Sequence, residues 1–400
     1  MRSDVALRAR SRALLMLATL GASMSSAHAG CDFSAADTAM QNLLALDGIS
    51  DGGLIVGSTR GIWHKQYFGV YDDSTGLPLA SASKLLSGVR VMQLVDRQVL
   101  DLDAPVSGYL SGPLYPWSAT AAPITLRQMF SHTAGYGDDE DDPVLSDHTI
   151  TLARSVQEIA SNYDGLSPQN FLPVGSWFAY GGVSMQIGGG VAQAQSGVDW
   201  QAGWKHDIGA PMCISTIDWQ GLGPTVNYRI AGSARASLDD YARVLAMLAN
   251  DGIGNGTRIL SPAAIATLNH SQTGDAAPGY TPPAADGLTQ YGVGAWIEPS
   301  PTSASTDAPV IDSIGAFGYA PWVDFSNGTF GILMIADNAA GQNPGIESRA
   351  VLQQIVQLVR DQLAANGGSC TASATYDAIF TDGFEAVPGT PVCPGFAAAN

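Results

Sequence analysis

Ser81 and Lys84 are the residues whose types and spacing in this chain indicate catalysis. They are the first and fourth residues of Ser-Ala-Ser-Lys, and Lys84 is one of only three lysines among 400 residues. Residues three apart share one side of a helical turn, with about 5–6 Å between their Cβ atoms. A serine becomes a nucleophile when a base takes its proton, and a desolvated lysine amine can be that base. In the simpler alternative, Ser81 or Ser83 caps the helix and Lys84 extends into solvent.

The helix that begins at about Ser83 and runs to about Val99 favours the catalytic interpretation. On a helical wheel, Lys84 lies on the apolar face with small and aliphatic residues: Gly88, Val91 and Val95. The opposite face carries the polar side chains and is predicted to be exposed: Arg90, Gln93 and Arg97. Lysine is rarely buried unless it is paired or functional, and no carboxylate stands three or four residues after Lys84 to pair with it.

Three later segments carry further motifs: 92-MQLVDRQVLDLDAPVSGYL-110, 125-TLRQMFSHTAGYG-137 and 237-SLDDYARVLAMLANDGIGNGTRILSP-262. Together with the Ser81 to Lys84 motif, and in this order, they resemble the serine β-lactamase and penicillin-binding-protein-like family, especially its class C β-lactamase and esterase branch. The resemblance covers about residues 35–365. It implies a metal-independent serine hydrolase without a cofactor, which forms an acyl-enzyme on Ser81. In the resembling segment His132 is structural and not a catalytic base.

The resemblance also assigns roles to residues of two later motifs. In 175-GSWFAYGGVSMQIGGG-190, Tyr180 matches a tyrosine that shuttles protons between Ser81, Lys84 and the leaving group. The strand motif has its counterpart in Ser313-Ile314-Gly315. Family geometry makes the backbone N–H groups of Ser81 and Ala316 the oxyanion hole. Four residues are then expected to contact substrate: Gly182, Ser313, Gly315 and Phe317.

Two positions depart from the family pattern and bear on the substrate. Gly182 stands where the family has an asparagine amide, and Ser313 stands where it has a cation that binds the carboxylate of β-lactams and peptidoglycan peptides. Both departures favour an esterase acting on a neutral ester or amide. A β-lactamase or D-alanyl-D-alanine carboxypeptidase remains an alternative. A catalytically silent relative that binds small ligands is the alternative from another functional class.

The predicted fold is α+β and β-lactamase/transpeptidase-like. Strand-like segments at residues 54–56 and 66–71 flank an Arg60-Gly61 turn, and Asn327-Gly328 predicts a hairpin near the other end. These patterns indicate an antiparallel sheet formed by both terminal parts and flanked by helices, with a mainly helical inserted lobe at about 100–280. The helix within 125–137 is expected to close at Gly135.

The termini differ in composition from this domain. Four arginines, a short apolar run and Ala27-His28-Ala29 indicate a signal peptide over residues 1–29. The hydrolase domain is then 30–366, and residues 367–400 form a tail of unknown role. We expect a bacterial protein exported to the periplasm or secreted, without a membrane span. The small-molecule substrate is the expected partner.

Charge and cysteine content indicate which partners and which disulfide bonds to expect. The formal net charge of −18 argues against nucleic acid as a partner. Four cysteines in an exported chain allow three disulfide connectivities, among which we favour Cys370–Cys393. The acidic run 138-DDEDD-142 is interpreted as a solvated loop and not as a calcium site, because nothing nearby completes a ligand set.

Overall fold

The computed structural model describes residues 30–137, 142–162, 172–299, 309–337 and 344–371. The α-helices are α1 (Ser34–Asp47), α2 (Ser83–Asp96), α3 (Val106–Tyr109), α4 (Leu126–Phe130), α5 (Pro143–Ser146), α6 (Leu152–Asn162), α7 (Val183–Ser196), α8 (Trp200–Trp204), α9 (Leu238–Ala249), α10 (Pro262–Asn269) and α11 (Pro344–Ala365). The strands are β1 (Gly52–Ser58), β2 (Gly61–Phe68), β3 (Gly76–Pro78), β4 (Trp177–Ala179), β5 (Arg235–Ser237), β6 (Ile253–Gly254), β7 (Thr257–Arg258), β8 (Ala277–Tyr280), β9 (Trp296–Glu298), β10 (Val310–Asp312), β11 (Ala320–Asp324) and β12 (Thr329–Met334).

The main sheet joins the two ends of the domain, as the sequence predicted. Its six strands run in the order β2-β1-β12-β11-β10-β9, and every neighbouring pair is antiparallel. The Asn327-Gly328 hairpin between β11 and β12 is confirmed, with Gly328 at a φ of 67°. Because β1 and β12 pair directly, the first strand of the domain is held in place by the last.

Alternating side chains of β1 divide the core into two layers. Leu54 and Val56 pack with α1 and α11 on one face of the sheet, whereas Ile55 belongs to the larger core that includes α2 and α9. Helix α2, which carries Lys84, lies within this larger core, and its residues 83–94 are all buried. No helix in the described part of the chain is long and apolar enough to cross a membrane.

Two expectations about the helices were wrong. Arg90 and Gln93 are buried and not exposed, because the Asp207 carboxylate pairs with the Arg90 guanidinium and the Asp207 carbonyl accepts from Gln93 Nε2. Helix α4 ends at Phe130 and not near Gly135, because His132 already adopts a left-handed backbone conformation, with a φ of 57°.

The favoured disulfide was also wrong. Cys370 is bonded to Cys31, with 5.4 Å between the Cα atoms, and this bond joins the segment before α1 to the end of α11. Cys213 is disulfide-bonded as well, and Cys393 lies outside the described residues. Helices α1 and α11 pack on the same face of the sheet, which brings residues 339 positions apart close together.

Candidate active site

Ser81 and Lys84 meet at the start of α2. Ser81 lies in a 3-10 turn, Ala80–Ala82, and Ala80 adopts a φ of 44°, an uncommon conformation for a residue with a side chain. Lys84 occupies the first turn of α2 and is fully buried, and its Nζ donates to Ser81 Oγ at 3.1 Å. Ser81 itself is only half-buried. The structure therefore rules out the alternative in which Lys84 extends into solvent.

Two further groups surround the Lys84 amine. Its Nζ donates to the Ala231 carbonyl at 3.2 Å and lies 4.3 Å from the centre of the Tyr180 ring. The face of the ring, with its negative quadrupole, is thus turned towards the amine. Tyr180 lies almost one hundred residues from Lys84 in the chain, and the fold brings the two together as the resemblance implied.

Tyr180 is held by an aromatic cluster that comprises Phe178, Tyr180, Tyr291 and Trp296. Its ring stacks on Trp296 with 5.2 Å between centroids and an interplanar angle of 16°. Tyr291 contacts Tyr180 edge-on at 6.1 Å. The Tyr180 N–H donates to the Tyr280 carbonyl at 3.0 Å, which fixes the backbone where β4 ends. Gly182 follows, buried, as the N-cap of α7.

His132 lies behind Tyr180 and is neutral. Burial lowers the pKa of His132 well below its usual value, and the charge of Lys84 lowers it further. The ring centroid is 4.6 Å from that of Tyr180, and Nδ1 accepts from the Gly181 N–H at 3.4 Å. His132 Nε2 has no hydrogen-bond partner within the described parts of the chain, so His132 and Ser81 do not form a serine–histidine pair.

The strand motif, Ser313-Ile314-Gly315, lies against the turn that carries Ser81. Ser313 Oγ donates to the Ser81 carbonyl at 3.1 Å. A Cβ added to Gly315 would come within 2.2 Å of the Leu79 carbonyl oxygen, so this close approach requires glycine. Ala316 and Phe317 follow in a turn, the first exposed and the second half-buried. The oxyanion role of Ala316 and the substrate-binding role of Phe317 stay predictions.

A cavity of about 670 Å³ adjoins the aromatic cluster at Tyr280. It is lined by Tyr280 and Ala284 on one side and by Ile346 and Arg349 of α11 on the other. Arg349 donates to both carboxylate oxygens of Glu298, at 2.8 and 3.0 Å, so the cavity's cation is already paired. The lining also includes Asp286, so a paired cation and a carboxylate both face the cavity.

The residue before Ser313 is a buried acid. Asp312 is fully buried, and neither of its carboxylate oxygens has a donor among the described residues. Burial raises the pKa of Asp312 well above its usual value, and the charge of Glu298 raises it further. Burial also acts to raise the pKa of Glu298, but the hydrogen bonds from Arg349 outweigh it and the net direction is down. These shifts favour a protonated Asp312 beside an ionised Glu298, with the acid O–H of Asp312 as the donor between them.

Asp312→Asn is expected to stabilise the protein increasingly as the pH rises above about 4. The folded parent holds the proton that the unfolded chain releases, so its free energy of unfolding falls by up to about 1.4 kcal/mol per pH unit until the raised folded pKa is reached. Asparagine does not titrate and its amide donates to Glu298, so this slope disappears. Urea unfolding of both proteins between about pH 5 and about pH 9 measures the effect.

Asp324→Asn is the matched control for this substitution. Asp324 is equally buried, but it accepts from Ser326 and from Arg360 Nε at 2.9 Å. Its replacement leaves the half-buried Arg360 guanidinium without its anion and should destabilise the protein at neutral pH. An Asp312→Asn variant less stable than the parent across the whole pH range would contradict a protonated Asp312.

Sequence reasoning missed several groups that shape the site. The Ala231 carbonyl, Tyr291 and Trp296 come from loops and a short strand, where no periodic pattern marks them. Among the described residues no group of His, Cys, Asp or Glu could hold a metal ion, and residues 138–141 of the acidic run lie outside them.

Comparisons with known proteins agree with this fold. A family model described as Beta-lactamase matches residues 36–354. A proposed beta-lactamase from Bacteroides dorei, whose structure is solved, is 25% identical and has a TM-score of 0.71 over 82% of this chain and 99% of that chain. EstCE1, a hydrolase with promiscuous acyltransferase activity, is 16% identical, with a TM-score of 0.60 over 80% and 98% of the two chains. These structures confirm the predicted fold.

One curated relative is similar over a short segment. Acyltransferase calJ of Penicillium decumbens is 33% identical in an alignment 73 residues long, which covers 15% of this chain. The match spans only 18% of the length of that protein.

Proposed function

The chain belongs to the beta-lactamase family, and we propose that within it this protein is an exported esterase that forms an acyl-enzyme on Ser81. The observation that carries the proposal is the fully buried Lys84 amine at 3.1 Å from the half-buried Ser81 hydroxyl. A buried amine is driven towards its neutral form, in which it can accept the serine proton. We identify the substrate as a neutral ester, or less readily an amide.

The reaction proceeds in two halves. Ser81 Oγ attacks the substrate carbonyl as its proton passes to the Lys84 amine, and the oxyanion is stabilised by the N–H groups of Ser81 and Ala316. The C–O bond to the leaving alcohol then breaks, and the alcohol takes a proton delivered through Tyr180. A water molecule attacks the acyl-enzyme with the same groups acting in reverse, and the acid leaves while Ser81 regains its proton.

The preference for a neutral substrate rests on the charges around the site. Ser313 offers a hydroxyl where relatives have a cation, and that hydroxyl already donates to the Ser81 carbonyl. Arg349 in the adjoining cavity is bound by Glu298. A substrate carboxylate would therefore lose its hydration without gaining an unpaired cation among these residues.

Covalent labelling tests the proposal. We expect a fluorophosphonate to add one adduct to the mature protein, which peptide mass spectrometry locates on Ser81, and a chromogenic ester to be hydrolysed. Ser81→Ala should show neither adduct nor turnover while unfolding at the same temperature as the parent. No adduct together with no ester turnover would overturn the proposal and leave a ligand-binding relative.

A chromogenic cephalosporin in parallel assays separates the enzyme classes. We expect kcat/KM for the cephalosporin to fall far below that for a simple ester, because neither Ser313 nor the Glu298-bound Arg349 offers a cation to its carboxylate. Equal values would restore the β-lactamase interpretation.

Export is tested separately, by fractionation of bacterial cells that express the full chain and by sequencing the N-terminus of the processed protein.

A further inference from the structure

A network of buried polar side chains lies between α7 and the segment 227–231. At its centre is Gln186, which is completely buried. Its Oε1 accepts from the Ile230 N–H at 3.1 Å, and its Nε2 donates to Asn227 Oδ1 at 2.9 Å and to Ser155 Oγ at 3.2 Å. Asn227 Nδ2 in turn donates to the Val144 carbonyl at 2.9 Å. Gln186 therefore ties both ends of the segment to one helix.

The other side of the segment is bound to the helix that carries Lys84. Ser87 Oγ, one turn after Lys84, donates to the Ile230 carbonyl at 2.7 Å. The peptide that follows presents the Ala231 carbonyl, which accepts from Lys84 Nζ at 3.2 Å. Both backbone groups of Ile230 are thus fixed by side chains, and the next carbonyl contacts the amine beside Ser81.

Packing brings the same segment close to α7. A Cβ added to Gly189 would lie 2.3 Å from Ile230 Cγ1, so only glycine at this position of α7 leaves room for the Ile230 side chain. A segment without a regular backbone ladder must satisfy its buried N–H and C=O groups by other means, and here Gln186 and Ser87 do so. These contacts leave the Ala231 carbonyl little freedom to move.

We propose that Gln186 is a positioning residue for catalysis, which acts through Ile230 to hold the Ala231 carbonyl and thereby the Lys84 amine against Ser81. This inference rests on the proposed function, in which Lys84 is the base. Gln186 itself contacts neither Ser81 nor Lys84 in the described hydrogen bonds, so its effect on the reaction must pass through the backbone.

The Ala231 carbonyl also affects the protonation of Lys84. A carbonyl oxygen stabilises an ammonium more than an amine, so a displaced carbonyl lowers the pKa of Lys84. Among the described residues, the groups that face Lys84 include the Ser81 hydroxyl and the Tyr180 ring, with neutral His132 behind that ring. Arg229, which is half-buried, belongs to the same segment as Ala231.

Gln186→Met tests the proposal in the mature enzyme, with a chromogenic ester as substrate. We expect kcat to fall about 10- to 100-fold while KM changes less than about twofold, because no contact to substrate is removed. The acid limb of kcat/KM should move to lower pH by about one unit, as expected when an ammonium loses a hydrogen-bond acceptor. A purely structural role would lower stability without moving this limb.

Gln193→Met is the matched control, since Gln193 lies two turns further along α7 and accepts from the Trp200 N–H at 3.0 Å. It should leave kcat and the acid limb unchanged. Ser87→Ala is a small change that removes the hydrogen bond to the Ile230 carbonyl. It should lower kcat and move the acid limb to lower pH, as Gln186→Met does. This second variant keeps the test valid if the methionine variant does not fold. An unmoved acid limb in the folded variants would overturn the proposal. If the parent itself neither labels on Ser81 nor hydrolyses esters, the proposed function fails instead.

Discussion

Lys84→Met is expected to lower kcat/KM for a chromogenic ester by about 10³-fold or more, while the protein unfolds at the same or a higher temperature. Within the described residues Lys84 is the one side chain that hydrogen bonds to Ser81 Oγ, so its loss leaves the serine without a base. Methionine keeps the apolar stem that packs in the core. It also removes the cost of burying an amine, so stability should not fall.

Lys65→Met separates this effect from the general loss of a buried lysine. Lys65 is also buried, and its Nζ pairs with Asp239 at 2.8 Å and with Asp73. Its replacement leaves the largely buried Asp239 carboxylate without its cation, so the free energy of unfolding should fall by about 3–5 kcal/mol. Catalysis by the folded fraction should be unchanged. A Lys84→Met enzyme within tenfold of the parent would exclude Lys84 as the base.

The site was predictable from sequence where its geometry is local. Lys84 and Ser81 are three residues apart on one helical turn, and the apolar periodicity of the helix predicts that Lys84 points inward. The same periodicity was wrong about Arg90 and Gln93, because their partner Asp207 is more than one hundred residues away. Helical periodicity reports which side chains are polar, and a buried salt bridge can only be found once the fold is known.

In the fold, too, local features were predictable from sequence and long-range contacts were not. The Asn327-Gly328 hairpin was predicted because both residues tolerate a positive φ, which is a local property. The Cys31–Cys370 bond was not predicted, because it depends on α1 and α11 packing against one another on the sheet. The position of the Ala231 carbonyl likewise depends on Gln186 and Ser87, which belong to two different helices. Backbone groups carry no sequence signature, so such contacts appear only in the structure.

Tyr180→Phe is expected to lower kcat by about 10²- to 10³-fold for an ester with a poor leaving group, such as an ethyl ester. Phenylalanine retains the stacking on Trp296 and the ring face beneath Lys84, and only the hydroxyl is lost. An alkoxide needs a proton as it departs, whereas p-nitrophenolate does not. The loss should therefore be much smaller for a p-nitrophenyl ester, and the ratio of the two rates measures proton delivery by Tyr180.

Tyr291→Phe provides the control within the same aromatic cluster. Tyr291 is also buried and packs against both Tyr180 and Trp296, so removing its hydroxyl perturbs the cluster in a comparable way. This variant should lower the rates for both esters equally, because we assign Tyr291 only the packing of its ring against Tyr180 and Trp296. If Tyr180→Phe behaved identically, with no dependence on the leaving group, the tyrosine would act only by packing. A selective loss with the poor leaving group instead identifies the Tyr180 hydroxyl as the acid that protonates the departing alcohol.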